Sequence, residues 1–343
     1  MEPGIPTRMG DGSLVRLTRS ELRADLEDGT ALGAKRARVE PLEGAELDHL
    51  LDIFASPARF SAVDIGDEVV LTYDGTGTQQ AERIDGLVVY EQFLGADSGE
   101  LFHQDYCYNA AAKLVAGEAR AMHDAQHRLT MPLHYGSQAD LGRYSMPDGP
   151  VPNWAELLPL GRTDEARAAQ EAAVAFATAD MRRVAEALWE AGADGLDFDT
   201  SGAAGDAEFL AVLEVVRGLR RDHPTMSIEV GMASEFVLGM HGQVEFDGVR
   251  LAGLWPRDQL RLVESAGATV FGPCVNVNTG RSVAWNVARA VTILKPCVAA
   301  ATIPVHVNAG MGVGGVPMSV CPPADAVSRA GRAFVDLLHV DGL

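Results

Sequence analysis

Lysine is nearly absent from this chain of 343 residues: Lys35, Lys113 and Lys295 are the only three among 28 basic side chains. None falls at a predicted strand end, since Lys113 and Lys295 read as helical and Lys35 lies in the N-terminal segment. Schiff-base chemistry from a lysine is thereby excluded. Positive charge is scarce altogether, with 28 basic against 48 acidic residues and a formal charge of -20. No basic cluster interrupts that background, which argues against nucleic acid or an anionic membrane as partner. Cysteine is limited to Cys107, Cys274, Cys297 and Cys321, far apart and without a C-x-x-C pair, so neither a disulfide framework nor a zinc site is expected. Long apolar runs are missing too. The longest, VTILKPCVAAATIPVHV, is broken by Lys295, Pro296 and Pro304, and the opening MEPGIPTRMGDG has no signal-peptide core. These absences lead to the expectation of a soluble cytoplasmic protein with reduced thiols.

What is present is ordinary globular composition, 47% hydrophobic with 36 Gly and 17 Pro. Residues 1–83 read as a small N-terminal α+β cap. Thr18 and Glu21 have the spacing of a capping box, SELRADLEDG reads as a helix ending at Gly29, and EVVLTYDGTG reads as a strand and turn. From residue 84 to 343 short β-rich runs alternate with amphipathic segments. The runs are 86–92, 128–135, 195–199, 227–231, 269–273 and 304–308. Anchored on Gly195, Ile228, Val270 and Val305, the later ones recur at spacings of 33, 42 and 35 residues. Between them Val174, Met181, Val184 and Leu188 share one helical face, and Phe209, Leu213 and Val216 another. Gly192 and Gly267 mark helix ends. Such alternation means parallel strands covered by helices. A TIM-type (β/α)8 barrel is the preferred architecture over an open doubly wound sheet, because no topological reversal and no dinucleotide fingerprint is visible. Ser137–Thr163 reads as a long loop on its active face. After a helix from about Ala324 to Leu338, Val340-Asp341-Gly342-Leu343 enters what would be the seventh strand. The barrel is therefore expected to be incomplete at the C-terminus.

Reacting groups in such folds sit at the C-terminal ends of strands. The carboxylates there are Asp199, Glu229 and Glu235, and the polar groups are Asn276, Asn278, His306 and Asn308. Glu229 lies among apolar neighbours, where partial desolvation would suit proton transfer near neutrality. Each carboxylate also has a structural reading: Glu229 as an interior hydrogen-bond acceptor, Glu235 as a loop residue, Asp199 as a helix cap. GMGVGG (310–315) reads as a tight turn or a phosphate cradle, although it lacks the P-loop pattern. His134 and His241 read as structural. No metal site and no G-x-S-x-G is found.

Several long motifs stand in colinear order: RMGDG, FDTSGAAGD (198–206), IEVGMASEFVLGMHG (228–242), LAGLWP (251–256), FGPCVNVNTG with AWNVARAVT (271–292), and GMGVGGVPM (310–318). Together they resemble the dimethylamine:corrinoid methyltransferases, pyrrolysine-containing barrel enzymes. The resemblance implies transfer of a methyl group from dimethylamine to the Co(I) corrinoid of a cognate corrinoid protein, releasing monomethylamine in methylamine metabolism and methanogenesis. It implies that pyrrolysine, encoded by an in-frame amber codon, follows Leu343, and that no cofactor or metal is bound directly. Glu229 is the first candidate for handling the amine proton, with Asp199 and Glu235 next, while Asn276, Asn278, His306 and Asn308 line the pocket. The family often has an Asp in place of Asn308, which counts against an acid–base role there. A homo-oligomer is compatible with the sequence. Two other readings stay open: a non-catalytic barrel fragment or scaffold, and an unrelated barrel enzyme that binds a phosphorylated substrate at GMGVGG.

Overall fold

A computed structural model describes residues 4–56, 141–193, 195–239, 242–307 and 324–342. The expected strands at 86–92 and 128–135, the EVVLTYDGTG turn, Lys113, His134, His241, Asn308 and GMGVGG lie outside the described residues. In chain order the elements are β1 (Ile5–Arg8), β2 (Leu14–Leu17), α1 (Arg19–Ala37), α2 (Ala45–Ala55), the single turn α3 (Trp154–Leu157) and α4 (Thr163–Glu190). There follow β3 (Gly195–Ser201), α5 (Asp206–Asp222), β4 (Ser227–Met232), β5 (Glu245–Phe246), β6 (Val249–Arg250), α6 (Pro256–Ala266) and β7 (Val270–Gly272). The last two are α7 (Val283–Val298) and α8 (Ala324–Leu338). The described residues fall into two compact units, one before residue 117 and after residue 272, the other between them.

In the first unit β1 and β2 form an antiparallel hairpin, and α1 starts at the expected capping box. The Thr18 hydroxyl accepts from the Glu21 amide at 3.2 Å, and the Glu21 carboxylate accepts from the Thr18 amide at 2.7 Å. The helix does not end at Gly29 as the sequence suggests but continues to Ala37, with Arg38 in the left-handed region at φ 57. Gly29 is there for closeness to α7: a Cβ on it would stand 2.4 Å from the Trp285 carbonyl oxygen, and one on Gly33 3.0 Å from that of Arg289. Thr30 and Thr292 bridge the same contact through their hydroxyls at 2.7 Å. Every residue from Val283 to Leu294 is buried, as in a helix enclosed on all sides. Near the end of the chain, Val307 donates its amide to the Gly342 carbonyl at 3.0 Å and Asp341 donates to Val305 at 3.1 Å. His306 and Gly342 thereby form a parallel bridge, so the expected strand pairing is seen as a single bridge.

The second unit is built on a parallel sheet of order β3-β4-β7, each strand reached from the last through a helix. Leu196 pairs with Ile228 and Phe198 with Val230, and Val230 pairs with Phe271. Phe198, Ile228, Val230 and Phe271 are fully buried, as are Phe209, Leu213 and Val216 on α5, which packs against β3. Gly267 closes α6 at φ 105 and Gly192 follows α4 at φ 97, so both stops lie where the sequence places them. In the 141–163 segment the backbone winds into short helical turns, Leu141–Tyr144, α3 and Leu158–Leu160. The fold is mixed α/β with a parallel sheet, and no closed barrel is found among the described residues. No helix of the described residues is long and apolar enough to cross a membrane.

Candidate functional site

Strand periodicity sorts the second unit's sheet into two faces. Phe198 and Val230 point to the helices. Asp197 and Glu229, which are register partners, therefore share the opposite face, and Asp199 lies two residues beyond Asp197. All three are half-buried. The pairing shifts between Phe198 and Ser201, leaving β3 with one residue more than β4 across that stretch. Such an irregularity re-aims side chains, and Asp199 lies within it. Gly231 lies beside the two aspartates. A Cβ on it would lie 2.9 Å from Asp199 Oδ1 and 3.7 Å from Asp197 Oδ1. Only the missing side chain lets β4 pass beneath both.

Glu235 is 4% exposed in the bend after β4, held where Val237 donates to Leu254 at 3.1 Å and Gly253 to Val237 at 2.7 Å. Two further acids are enclosed in the first turn of α5, Asp206 and Glu208, both fully buried. The second unit thus gathers carboxylates in a chain interior, where acids are seldom found without partners. Among the described residues no three His, Cys, Asp or Glu side chains are grouped as a metal ion would require.

The other polar candidates belong to the first unit. The stretch before α7 is fastened by its backbone. Arg289 Nη1 donates to the Asn276 carbonyl at 3.0 Å, and buried Asn286 both accepts from the Asn278 amide at 2.7 Å and donates to its carbonyl at 3.0 Å. On its own side chain, Asn278 Oδ1 accepts from the Gly280 amide at 2.9 Å. Both Asn276 and Asn278 are exposed. Ser282 caps α7, its hydroxyl accepting from the Trp285 amide at 2.9 Å and donating to Asp25. Burial pushes the Asp25 carboxyl above its ordinary range, and the Ser282 hydrogen bond opposes that. His306 is half-buried at the bridge to Gly342.

The sheet therefore brings Asp199 and Glu229 onto neighbouring strands and adds Asp197, which the sequence reading passed over. The signal was available: in Asp197-Phe198-Asp199 the two acids flank an aromatic at strand period. Asn286 and Arg289 were also passed over. Their mark in the sequence is polarity inside an otherwise apolar helix.

A family model described as dimethylamine methyltransferase (Dimeth_PyL) matches residues 4–343. The chain belongs to that family. No solved structure matches it. The family match covers the RMGDG hairpin and the Asn286–Arg289 clamp, so these belong to the family's stretch of chain and not to an appended segment.

Proposed function

We propose that the protein transfers a methyl group from dimethylamine to the Co(I) corrinoid of a cognate corrinoid protein and releases monomethylamine, as a TIM-type barrel enzyme of methylamine metabolism and methanogenesis. The C–N bond breaks, the carbon bonds to cobalt using cobalt's electron pair, and nitrogen keeps the C–N pair and carries a proton away. An amide anion is a very poor leaving group, so proton control at nitrogen governs the barrier.

The observation that supports this reading is the sheet face that Asp197, Asp199 and Glu229 share, with Asp197 and Glu229 as register partners, in a chain matched by the family from residue 4 to 343. That face concentrates the ammonium ion and holds its N–H groups, with Glu229 as the residue that keeps and returns the proton. Asp199, within the irregularity of β3, orients the cation, and Glu235 is the second candidate for the proton. Asn276, Asn278, His306 and Asn308 are proposed as substrate-binding residues.

Pyrrolysine, proposed to follow Leu343, supplies an electrophilic imine carbon for the amine nitrogen. The fit is favourable in one respect: Asp341 and Gly342 are hydrogen-bonded to Val305 and Val307, an anchorage that would help to position a residue carried beyond them. Positioning of this kind lowers the entropic cost of attack geometry.

The test is the nucleotide sequence after the Leu343 codon. The reading expects an amber codon followed by an in-frame extension; another stop codon would count against it. Since the 343-residue polypeptide contains no pyrrolysine, it should methylate no Co(I) corrinoid protein when given dimethylamine. Turnover by this polypeptide would remove the electrophile from the account.

A further inference from the structure

Arg8 opens the RMGDG motif and has no part in methyl transfer as proposed above. Its Nη1 donates to the Gly12 carbonyl at 2.7 Å, which closes the hairpin turn, and its Nη2 donates to Asp325 Oδ1 at 3.1 Å. A second guanidinium faces the same carboxylate. Arg329 Nη1 stands 3.6 Å from Asp325 Oδ2, and its Nη2 donates to the Ser56 carbonyl at 2.8 Å. All three charged side chains line one cavity of about 10 Å³, with Phe54, Val283 and Ala284 as apolar wall.

Two features of this cavity are not satisfied by the described residues. Among these residues the Nε–H groups of Arg8 and Arg329 are both buried and have no acceptor. Buried donors are seldom left in that condition, because the lost hydration is not regained. The charge is also unbalanced, with two guanidinium ions against one carboxylate among the described residues. Burial pushes the Arg329 guanidinium below its ordinary range, the Asp325 charge opposes this, and the Arg8 charge adds to it. The Arg329 side chain is only 11% exposed, so solvent does little to screen the excess. The first turn of α8, which carries Asp325 and Ala326 into the cavity wall, contributes the positive end of a helix dipole.

We propose that this cavity is a binding site for one halide-sized monovalent anion, chloride in physiological salt. The volume corresponds to about one water-sized occupant, which favours a single-atom anion over phosphate, sulfate or carboxylate ligands. A water molecule would satisfy the donors but leave the extra positive charge in place, whereas chloride answers both. Bound there, the ion ties the RMGDG hairpin, the end of α2 at Ser56 and the start of α8 into one charged cluster. The site is separate in residues from the carboxylate face, and its test does not require methyl transfer.

The experiment compares thermal unfolding of the 343-residue protein in sodium chloride and in sodium gluconate at equal ionic strength, so that general screening cancels. Chloride should raise the midpoint by about 3 °C over gluconate. Arg329→Gln should abolish that difference. Because Arg329 also holds the Ser56 carbonyl, the variant is paired with a measurement on the unaltered protein: crystals soaked in sodium bromide should give an anomalous peak between the two guanidinium groups. Equal midpoints in the two salts, a chloride effect undiminished in Arg329→Gln, or no anomalous peak in the cavity would each overturn the proposal.

Discussion

At Gly231 one hydrogen atom decides how the site is arranged. A methyl group there would meet Asp199 Oδ1 at 2.9 Å, closer than such atoms approach. Gly231→Ala should therefore displace the Asp199 carboxylate and cost about 1–3 kcal/mol of stability, measured by denaturant unfolding. Glu229→Gln keeps the shape and removes the proton. In the pyrrolysine-containing form it should slow methyl transfer by about 100-fold while the unfolding midpoint stays unchanged, and full turnover in that variant would remove Glu229 from the mechanism. In the first unit, Asn286→Leu strands the Asn278 amide, which Asn286 now satisfies, and leaves the Asn278 carbonyl with the Arg281 amide alone at 3.2 Å. The expected loss is about 2 kcal/mol, again from denaturant unfolding. The shared carboxylate face was partly legible at this scale. Asp199 and Glu229 stand out in the sequence as acids in apolar runs, and the structure places them within β3 and β4, Glu229 in the middle of its strand. That Asp197 is Glu229's register partner depends on how β3 and β4 align, and strand order and register are not written in either strand alone.

Local chemistry was most legible where it acts within one element. Thr18 and Glu21 start α1 where their spacing says, and Gly267 stops α6, because a cap needs nothing beyond its own helix. Gly29 misled for the opposite reason. A glycine is a stop signal by propensity, but here α7 lies so near that any larger residue would collide with the Trp285 backbone. Gly29→Leu should accordingly destabilise the protein far more than helix propensity alone, which on its own would favour leucine. The capping box also predicts a pH dependence. Hydrogen bonds from the Thr18 amide and hydroxyl hold the Glu21 carboxyl below its ordinary value of 4.5. With the folded-state value depressed, this contribution to stability is complete above the ordinary value and is lost as pH falls through the depressed one. Unfolding of Glu21→Gln, followed between neutral and acid pH, should show a shallower loss across that window than the unaltered protein. An identical slope would remove the box from acid sensitivity.

For the whole molecule, a formal charge of -20 and a parallel sheet with three half-buried carboxylates on one face suit a small cationic substrate better than a phosphorylated one. The family match over residues 4–343 gives that preference its chemistry. The alternation of strands and helices was readable because each βα unit repeats a simple pattern, whereas barrel closure depends on pairings between distant strands that no single segment encodes. The most direct test of the account is the spectrum of the partner's cobalt. The form with pyrrolysine after Leu343, verified by mass, is mixed with dimethylamine and its Co(I) corrinoid protein, and the absorbance is followed to completion. The account predicts conversion of Co(I) to methyl-Co(III), with one monomethylamine appearing for each methyl group transferred. A Co(I) spectrum that persists, with dimethylamine unconsumed, would contradict it.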